Sequence, residues 1–280
     1  MKDYIKLLRI KHYIKNLLIF VPLFFSKELF ERHVLERTIL GAICFSIISS
    51  VVYILNDIKD VEKDRIHPKK KNRPIASGKV SKRNAVILLV ICFILAVAIS
   101  FLFLQGKGFL ILMFYFGLNV AYSVGLKNIP IIDIIILTSG FVIRIVYGGG
   151  VGDIEISKWL YLVVLTGALC MGLGKRRNEL RQQNDTREVL NYYSESFLDK
   201  NIYVAITLVI VFYALWTVEF ANSIIIWTVP VIIVILMRYS FDIEGDSEGD
   251  PVEILLNDKI LMIICVLYII CVFILLYFVR

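Results

Sequence analysis

Three aspartates in this chain are spaced so that they could act together. Asp57, Asp60 and Asp64 stand at positions i, i+3 and i+7, which places them on one face of a helix. Carboxylates aligned in this way repel one another unless a cation lies among them. Hard oxygen ligands suit Mg²⁺, which usually binds through one or two carboxylates together with the phosphates of a substrate. The spacing therefore predicts a metal-assisted site for a phosphorylated compound.

The same aspartates also have a structural interpretation. They follow the long apolar run at 38–56, so they would lie at the end of a membrane-spanning helix. Ionisable groups are costly there, and a functional site is the default expectation. The alternative is a solvated helix end, in which the acids pair with Lys63 and its neighbours about one turn away.

A basic segment follows the aspartates. One interpretation is attraction to anionic lipid headgroups together with a signal for membrane topology. The other is that some of these cations hold the phosphates of the substrate, and Arg73 is favoured because Pro74 fixes the backbone beside it. The segment contains Arg65, Lys69, Lys70, Lys71, Arg73, Lys79, Lys82 and Arg83.

The composition predicts a membrane protein. Of the 280 residues 58% are hydrophobic and 20% are charged, with a mean hydropathy of +0.77, whereas soluble domains are about 45–50% apolar. This excludes a disordered chain, a nucleic-acid-binding module and an ordinary soluble enzyme. We expect an all-α integral membrane protein, a single polytopic domain over 1–280, because apolar runs of bilayer-spanning length recur along the chain. The nine predicted spans are 16–34, 38–56, 84–104, 108–126, 129–147, 159–174, 201–220, 222–240 and 259–279.

The distribution of Lys and Arg predicts an orientation. With the N-terminus in the cytoplasm, 24 of the 31 cations fall in cytoplasmic segments and six on the other side, while Arg144 lies within a span. Lys and Arg are enriched in cytoplasmic loops. The sequence therefore predicts that the N-terminus is cytoplasmic and the C-terminus external, with the aspartates facing the cytoplasm at the plasma membrane.

Other chemistry-bearing residues carry less information. The five cysteines all lie in apolar runs without a C-x-x-C pair, and the three histidines lack the spacing of zinc ligands, so we expect neither disulfides nor zinc. Acids alternate between Asp242 and Glu253 in a pattern like a calcium-binding loop. Ser247 stands where that loop needs glycine, however, and Pro251 interrupts it, so calcium binding is not expected.

The aspartate segment resembles a known motif. Residues 56–64 have the form N-D-x-x-D-x-x-x-D and are followed by R-P-I-A-S-G at 73–78. This resembles the first aspartate-rich motif of the UbiA prenyltransferase superfamily. The resemblance implies a nine-helix bundle with a cytoplasm-facing cavity, in which this motif binds Mg²⁺ and the diphosphate of a substrate.

The chain departs from most of that superfamily at its second acidic motif. Where two aspartates are expected, residues 174–180 are G-K-R-R-N-E-L, with three cations and one acid. Together with K-N at 15–16 and Y-S-V-G-L-K at 122–127, this resembles the decaprenyl-phosphate phosphoribosyltransferase branch. Members of that branch join phosphoribosyl diphosphate (PRPP) to a polyprenyl phosphate.

The resemblance implies a role for each candidate residue. Asp57 and Asp60 would bind Mg²⁺, and Asp64 would be a weaker ligand or an organiser of the site. Glu179 would position Lys175 or the ribose hydroxyls, and Arg144 would face the cavity; the alternatives are a helix-end ion pair and a structural arginine. Lys15 and Asn16 would meet the lipid phosphate, although Lys15 could equally be an interfacial residue. The full set of substrate-binding candidates is Lys15, Asn16, Asn56, Arg73, Tyr122, Lys127, Arg144, Lys175, Arg176 and Glu179.

Two other functions remain open from the sequence. An aromatic prenyltransferase, which uses a polyprenyl diphosphate and a ring acceptor such as 4-hydroxybenzoate, would share the first motif. The missing second motif argues against it. A polytopic transporter is also possible, but the charged row lies at one end of a span, and no pair of matching spans is broken by Gly or Pro.

Overall fold

The computed structural model describes residues 2–104, 106–182, 187–219, 223–245 and 250–279. Every element in these ranges is helical, which confirms the all-α prediction. A 3₁₀ helix, Ile10–Phe20, joins the first two α-helices, and shorter 3₁₀ turns join several others. The α-helices are α1 (Lys2–Leu8), α2 (Val21–Phe25), α3 (Arg32–Lys59), α4 (Val61–Ile66), α5 (Lys82–Phe103), α6 (Lys107–Val124), α7 (Ile132–Gly152), α8 (Lys158–Gln182), α9 (Glu195–Glu219), α10 (Val229–Glu244), α11 (Pro251–Asn257) and α12 (Lys259–Tyr277).

Within the described ranges, eight helical segments are long and apolar enough to cross a membrane. Seven are the whole helices α3, α5, α6, α7, α8, α9 and α12, and the eighth, Ile224–Glu244, is α10 with the turn before it. Many side chains on these helices are large, apolar and exposed, as expected for surfaces that meet lipid. The multi-pass membrane prediction is thereby supported.

The first predicted span, 16–34, is not one continuous helix. The 3₁₀ helix Ile10–Phe20 and α2 end at Phe25, and α3 begins at Arg32. Between them Lys27 has a positive φ of 66°, and the hydroxyl of Ser26 caps the turn by accepting from the backbone N–H of Glu28. A polar turn therefore divides the predicted segment.

The contacts divide the chain into two compact units. The first contains α1 to α6 and most of α7, and the second contains α8 to α12 with the single stretch Leu137–Val142 of α7. In the first unit, Phe45 of α3 packs between the rings of Tyr115 and Tyr147, with ring centroids 4.5 and 5.1 Å away. All three side chains are buried, so α3 lies against both α6 and α7 through this aromatic core.

Hydroxyl and carboxylate caps set several helix starts. The side chain of Ser81 accepts from the backbone N–H of Asn84 at the start of α5. Asp250 and Asp258 do the same at the starts of α11 and α12, accepting from Val252 and Ile260. These are ordinary N-caps, which satisfy backbone donors that a helix leaves without partners.

Candidate active site

The three aspartates do not form one uninterrupted row. α3 ends at Lys59 and α4 begins at Val61, while Asp60 between them has φ −91° and ψ 10°, outside the helical region. Asp57 and Asp64 are buried, at 2% and 4% exposure, and Asp60 is more open. The prediction that the three aspartates lie on one face of a continuous helix is therefore wrong. Because the helix breaks at Asp60, this residue has a different partner from Asp57 and Asp64.

Arg73 joins Asp57 and Asp64. Its Nη1 lies 2.7 Å from Oδ2 of Asp64 and 3.2 Å from Oδ1 of Asp57. The backbone turn that carries Arg73 is closed by hydrogen bonds from Ser77 N–H to the Arg73 carbonyl and from Val80 N–H to the Pro74 carbonyl. Arg73, which the sequence favoured as a ligand of a substrate phosphate, therefore forms direct ion pairs with two of the aspartates.

Lys127 pairs with Asp60. Its Nζ lies 2.7 and 2.9 Å from the two carboxylate oxygens. Lys127 sits in the short 3₁₀ turn Leu126–Asn128 that follows α6, 67 residues along the chain from its partner. The end of α6 and the end of α3 therefore meet at the same place.

Arg9 is a third cation at the aspartates. Its Nη2 lies 2.5 Å from Oδ1 of Asp57, and its guanidinium stacks 5.0 Å from the ring centroid of Tyr53. Arg9 is not among the site residues predicted from the sequence. Arg9 is one of five cations in the first 15 residues, and their spacing does not indicate which of them meets an aspartate 48 residues away.

Asn56 is held by Ser123 of α6. The Ser123 hydroxyl is within hydrogen-bonding distance of Oδ1 of Asn56 and lies 2.8 Å from the carbonyl oxygen of Asn119. A hydroxyl has one proton, so Ser123 donates to one of these two oxygens at a time. Ser123 is buried beside Tyr122, which the sequence had favoured instead and which is partly buried.

Arg144 is buried in α7, and its neighbours include an amide and two aromatic rings. Its Nε donates to Oδ1 of Asn16 at 2.8 Å, and the guanidinium lies 5.0 and 5.5 Å from the ring centroids of Phe45 and Tyr115. The amide of Asn16 donates in turn to the hydroxyl of Ser46, on α3. A cation–π and hydrogen-bonded setting compensates the charge inside apolar surroundings. Of the predicted pair at 15–16, Asn16 is buried here and Lys15 is partly exposed.

The cationic segment of α8 lies in the second unit. Arg176 is fully buried and forms an ion pair with Glu179, while Lys175 approaches Asp250 at 3.9 Å. Arg177 lies 2.5 Å from Asp199 and also donates to the carbonyl of Ile243 at 3.2 Å. Glu179, predicted to position Lys175, therefore neutralises Arg176.

The donor set near Asp57 is compatible with a divalent cation. Over residues 2–104, 106–182, 187–219, 223–245 and 250–279, no cluster of three or more His, Cys, Asp or Glu side chains is arranged to hold a metal. Magnesium does not require one, because it uses one or two carboxylates and completes its shell with water and phosphate oxygens. Arg73 contacts one oxygen each of Asp57 and Asp64, so the other oxygen of each carboxylate is not engaged by it.

The acidic stretch near residue 250 has structural roles where the structure describes it. Asp250 and Asp258 cap helices, and Arg238 donates to Asp258 at 2.5 Å. The hydrogen bond from Arg238, followed by those from the backbone of α12, lowers the pKa of Asp258 to about 2. Residues 246–249, which include two of the alternating acids, lie outside the described ranges.

Comparison with known sequences identifies relatives over almost the whole chain. The decaprenyl-phosphate phosphoribosyltransferase of Corynebacterium glutamicum is 33% identical and aligns with 96% of this chain and 85% of its own length. That of Mycolicibacterium smegmatis is 34% identical, over 93% of this chain and 88% of its own length.

Comparison with solved structures gives the same fold. A UbiA homologue from Archaeoglobus fulgidus bound to GPP and Mg²⁺ superposes with a TM-score of 0.76 at 20% identity, covering 98% of this chain and 99% of that one. The sequence profile of the UbiA prenyltransferase family matches residues 21–252. The chain therefore belongs to the UbiA prenyltransferase family and is a multi-pass membrane transferase of its all-helical fold.

Proposed function

We propose that this protein transfers the 5-phosphoribosyl group of PRPP to a polyprenyl phosphate and releases diphosphate. The observation that carries the proposal is near full-length similarity to enzymes named decaprenyl-phosphate phosphoribosyltransferase, at 33% and 34% identity. The cations of α8 agree with it. Lys175 and Arg176 stand where the superfamily pattern has acids, and a substrate with phosphates at both ends needs cations in addition to a metal.

Asp57 and Asp60 would hold Mg²⁺, with Asp64 as a further ligand or organiser. The Mg²⁺-bound state of the Archaeoglobus fulgidus relative supports a divalent cation in this fold. When bound, the ion would neutralise charge on the diphosphate and so improve it as a leaving group. Arg73 and Lys127 already lie on these aspartates, so their charges are placed for the oxygens of the same diphosphate.

The reaction would be a displacement at the anomeric carbon of the ribose. A phosphate oxygen of the lipid forms the new C–O bond, the bond from that carbon to diphosphate breaks, and the electron pair leaves with diphosphate. The nucleophile is already an anion, so no strong general base is needed. The protein would act by positioning the two phosphorylated substrates and by stabilising the departing charge. Lys175, Arg176, Asn56 and Tyr122 are the further candidates for substrate contact.

Residues 10–25 would supply a ninth membrane segment. The eleven residues of the 3₁₀ helix and the five of α2 span about 30 Å, the thickness of the hydrocarbon core, at about 2.0 and 1.5 Å per residue. The contact of Arg9 with Asp57 supports this, because it joins the start of this segment to the far end of α3. Two consecutive segments joined in this way run in opposite directions, as in a nine-helix bundle.

The site would face the cytoplasm at the plasma membrane. Arg9 contacts Asp57 and Lys127 contacts Asp60, so the start of the N-terminal segment and the ends of α3 and α6 would lie on one membrane face. Most of the Lys and Arg residues belong to segments assigned to that face, as expected for the cytoplasmic side. The chain would form a single polytopic domain with its C-terminus outside. Its product would supply lipid-linked pentose donors for the cell envelope.

A turnover assay tests the proposal. Purified protein with Mg²⁺, PRPP and a polyprenyl phosphate should release diphosphate and form a phosphoribosylated lipid, and chelation of the metal should stop both. Asp57→Asn should lower the rate by more than about 100-fold, since it removes a charge that would hold the leaving group's metal. Lys79→Gln, which removes a charge in the same basic segment away from the ion pairs described, is the control.

Different substrates would contradict the proposal. If turnover requires a polyprenyl diphosphate and 4-hydroxybenzoate, the protein is an aromatic prenyltransferase. If labelled PRPP or lipid crosses a proteoliposome membrane unchanged, with no diphosphate released, it is a transporter.

A further inference from the structure

Arg9 contacts the proposed metal-binding carboxylate from a distant part of the chain. It lies between α1 and the following 3₁₀ helix, 48 residues before Asp57, and its Nη2 is 2.5 Å from Oδ1 of that residue. The carboxylate is 2% exposed, whereas the Arg9 side chain keeps 21% of its surface accessible. The cation therefore reaches a buried acid from an open position.

The N-terminal segment is fastened to α3 on both sides of Arg9. The hydroxyl of Ser50 contacts the carbonyl oxygen of Leu8 at 2.8 Å and the hydroxyl of Tyr13 at 2.7 Å. Ser50, Tyr53 and Asp57 stand at i, i+3 and i+7 on α3, so one helix face receives this segment.

The backbone at Arg9 is held in an uncommon conformation. Its φ of 54° and ψ of 46° lie in the left-handed region, which residues other than glycine rarely adopt. Such a conformation persists where the surroundings determine it, and it is commonest at functional positions. Here it turns the guanidinium toward Asp57 and over the ring of Tyr53, whose centroid is 5.0 Å away.

Arg9 and a divalent cation would compete for Asp57. Oδ1 of Asp57 already receives Arg9 and, at 3.2 Å, Arg73. A third positive charge on this carboxylate would be repelled by both. Arg73 has Asp64 as a second carboxylate partner at 2.7 Å, whereas the guanidinium of Arg9 otherwise contacts the ring of Tyr53, so Arg9 is the cation that would lose its carboxylate to a metal.

We propose that Arg9 is a phosphate-binding residue. It stays paired with Asp57 until a divalent cation binds to that carboxylate. When a divalent cation binds to Asp57, the guanidinium would move to the diphosphate of the substrate. The oxygens of a diphosphate, like those of a carboxylate, match the paired N–H donors of arginine. Arg9 would thus disfavour metal binding without substrate and strengthen substrate binding with metal. The inference rests on the proposed function only for a divalent cation and a diphosphate at Asp57.

The test compares Arg9→Gln with Lys11→Gln. Lys11 is exposed two residues away, so its substitution removes the same charge from the same segment. Mn²⁺ binding to the full-length protein is measured by electron paramagnetic resonance without phosphate, and inorganic diphosphate binding by calorimetry in saturating Mg²⁺. Arg9→Gln should bind Mn²⁺ about tenfold more tightly and diphosphate about tenfold more weakly, the size of one charge-assisted hydrogen bond. Lys11→Gln should match the wild type in both.

Opposite shifts distinguish this role from a structural one. If Arg9→Gln weakens both ligands or leaves either one unchanged, the proposal is wrong. If Arg9→Gln does not fold, Arg9→Lys is measured in its place, since lysine keeps the positive charge but lacks the paired N–H donors of the guanidinium. It should bind Mn²⁺ as the wild type does and diphosphate about threefold more weakly; weakening of both would again overturn the proposal.

This experiment is independent of the phosphoribosyl assignment. Neither measurement contains PRPP or a polyprenyl phosphate. A protein that fails to turn over PRPP but shows the opposite shifts would overturn the proposed function and leave the role of Arg9 intact. Turnover of PRPP without the opposite shifts would support the proposed function and overturn the role of Arg9.

Discussion

Three cations from separate parts of the chain neutralise the three aspartates at the end of α3. Arg9 and Arg73 meet Asp57, Arg73 also meets Asp64, and Lys127 meets Asp60. The group therefore carries no net charge before substrate arrives. A divalent cation would make it positive, which favours a polyanion such as PRPP over neutral sugars.

Ser123 should matter for activity through Asn56. We expect Ser123→Ala to lower kcat/KM about tenfold, because Asn56 loses the hydroxyl that fixes its amide beside Asp57. Ser100→Ala is the matched control: that hydroxyl is also buried in a membrane helix, and it has no hydrogen-bond partner among the residues that the structure describes. Diphosphate release measures both variants. Equal activities would show that Ser123 does not position Asn56.

Substitutions of the Arg176–Glu179 ion pair on α8 can distinguish a role in stability from a role in substrate binding. Glu179→Leu should destabilise the protein by about 3–5 kcal/mol, because it removes the carboxylate paired with the fully buried Arg176, and Arg176→Met should destabilise it less, because Glu179 is partly exposed. The double variant should recover most of this loss, as measured by denaturant unfolding in detergent. If Arg176 also binds phosphate, the stable double variant will be inactive. A double variant with full turnover would assign the pair to structure alone.

Sequence reasoning located most of these residues but not their pairing. The aspartate spacing and the adjacent Arg73 are local patterns, and the structure joins them. The contacts of Arg9 and Lys127 bridge 48 and 67 residues, and no local pattern specifies such a pairing. Arg176 was expected to meet phosphate, and its pairing with Glu179 depends on burial, which a list of charges does not convey.

At the scale of elements, close backbone packing holds the N-terminal segment against α7. A Cβ placed on Gly148 would lie 2.0 Å from the carbonyl oxygen of Ile19. That atom belongs to the main chain and cannot rotate away. Only glycine therefore allows the 3₁₀ helix Ile10–Phe20 to approach α7 at this point.

Gly148→Ala should destabilise the protein by about 3 kcal/mol, because the added methyl must displace backbone. Gly117→Ala provides the comparison, since a Cβ at Gly117 meets no atom within 4 Å and alanine is the better helix former. The change in melting temperature of each variant is measured by monitoring thermal unfolding with circular dichroism. If both variants melt like the wild type, the segment can move away from α7 at little cost.

The start of α12 should depend on pH through Asp258. Its pKa is lowered to about 2, mainly by the hydrogen bond from Arg238, so the carboxylate stabilises the folded state above the ordinary aspartate pKa. This stabilisation is lost as the pH falls through about 2. Asp258→Asn should therefore melt below the wild type at pH 7, with the difference vanishing near pH 2. A difference that persists at low pH would assign the effect to the helix cap.

Element positions were predictable where they follow from hydropathy. Long apolar runs correspond to the eight membrane-length segments, because lipid requires continuous helices. The break at Asp60 was not predictable, since residues 56–66 contain neither Pro nor Gly. There the ion pair with Lys127 accompanies a turn that no local residue type requires.

At the scale of the whole molecule, the proposed orientation has a direct test. In a cysteine-free background, Lys71→Cys and Lys107→Cys place single thiols on exposed positions before and after α5. A membrane-impermeant maleimide should label position 107 in intact cells and position 71 only in inverted vesicles. Labelling of both from one side would mean that α5 does not cross the membrane, and the reversed pattern would place the aspartates outside.

The large sequence separation between Asp60 and Lys127 has a consequence for synthesis of the protein on the ribosome. A ribosome adds roughly 5–20 residues each second, so Lys127 follows Asp60, 67 residues earlier, by roughly 3–13 s. Arg9 precedes the aspartates and Arg73 follows within 16 residues, so Asp57 and Asp64 have their partners early. Asp60 gains this partner only after α5 and α6 have been made, so the nascent chain carries Asp60 at the end of α3 without Lys127 throughout that interval.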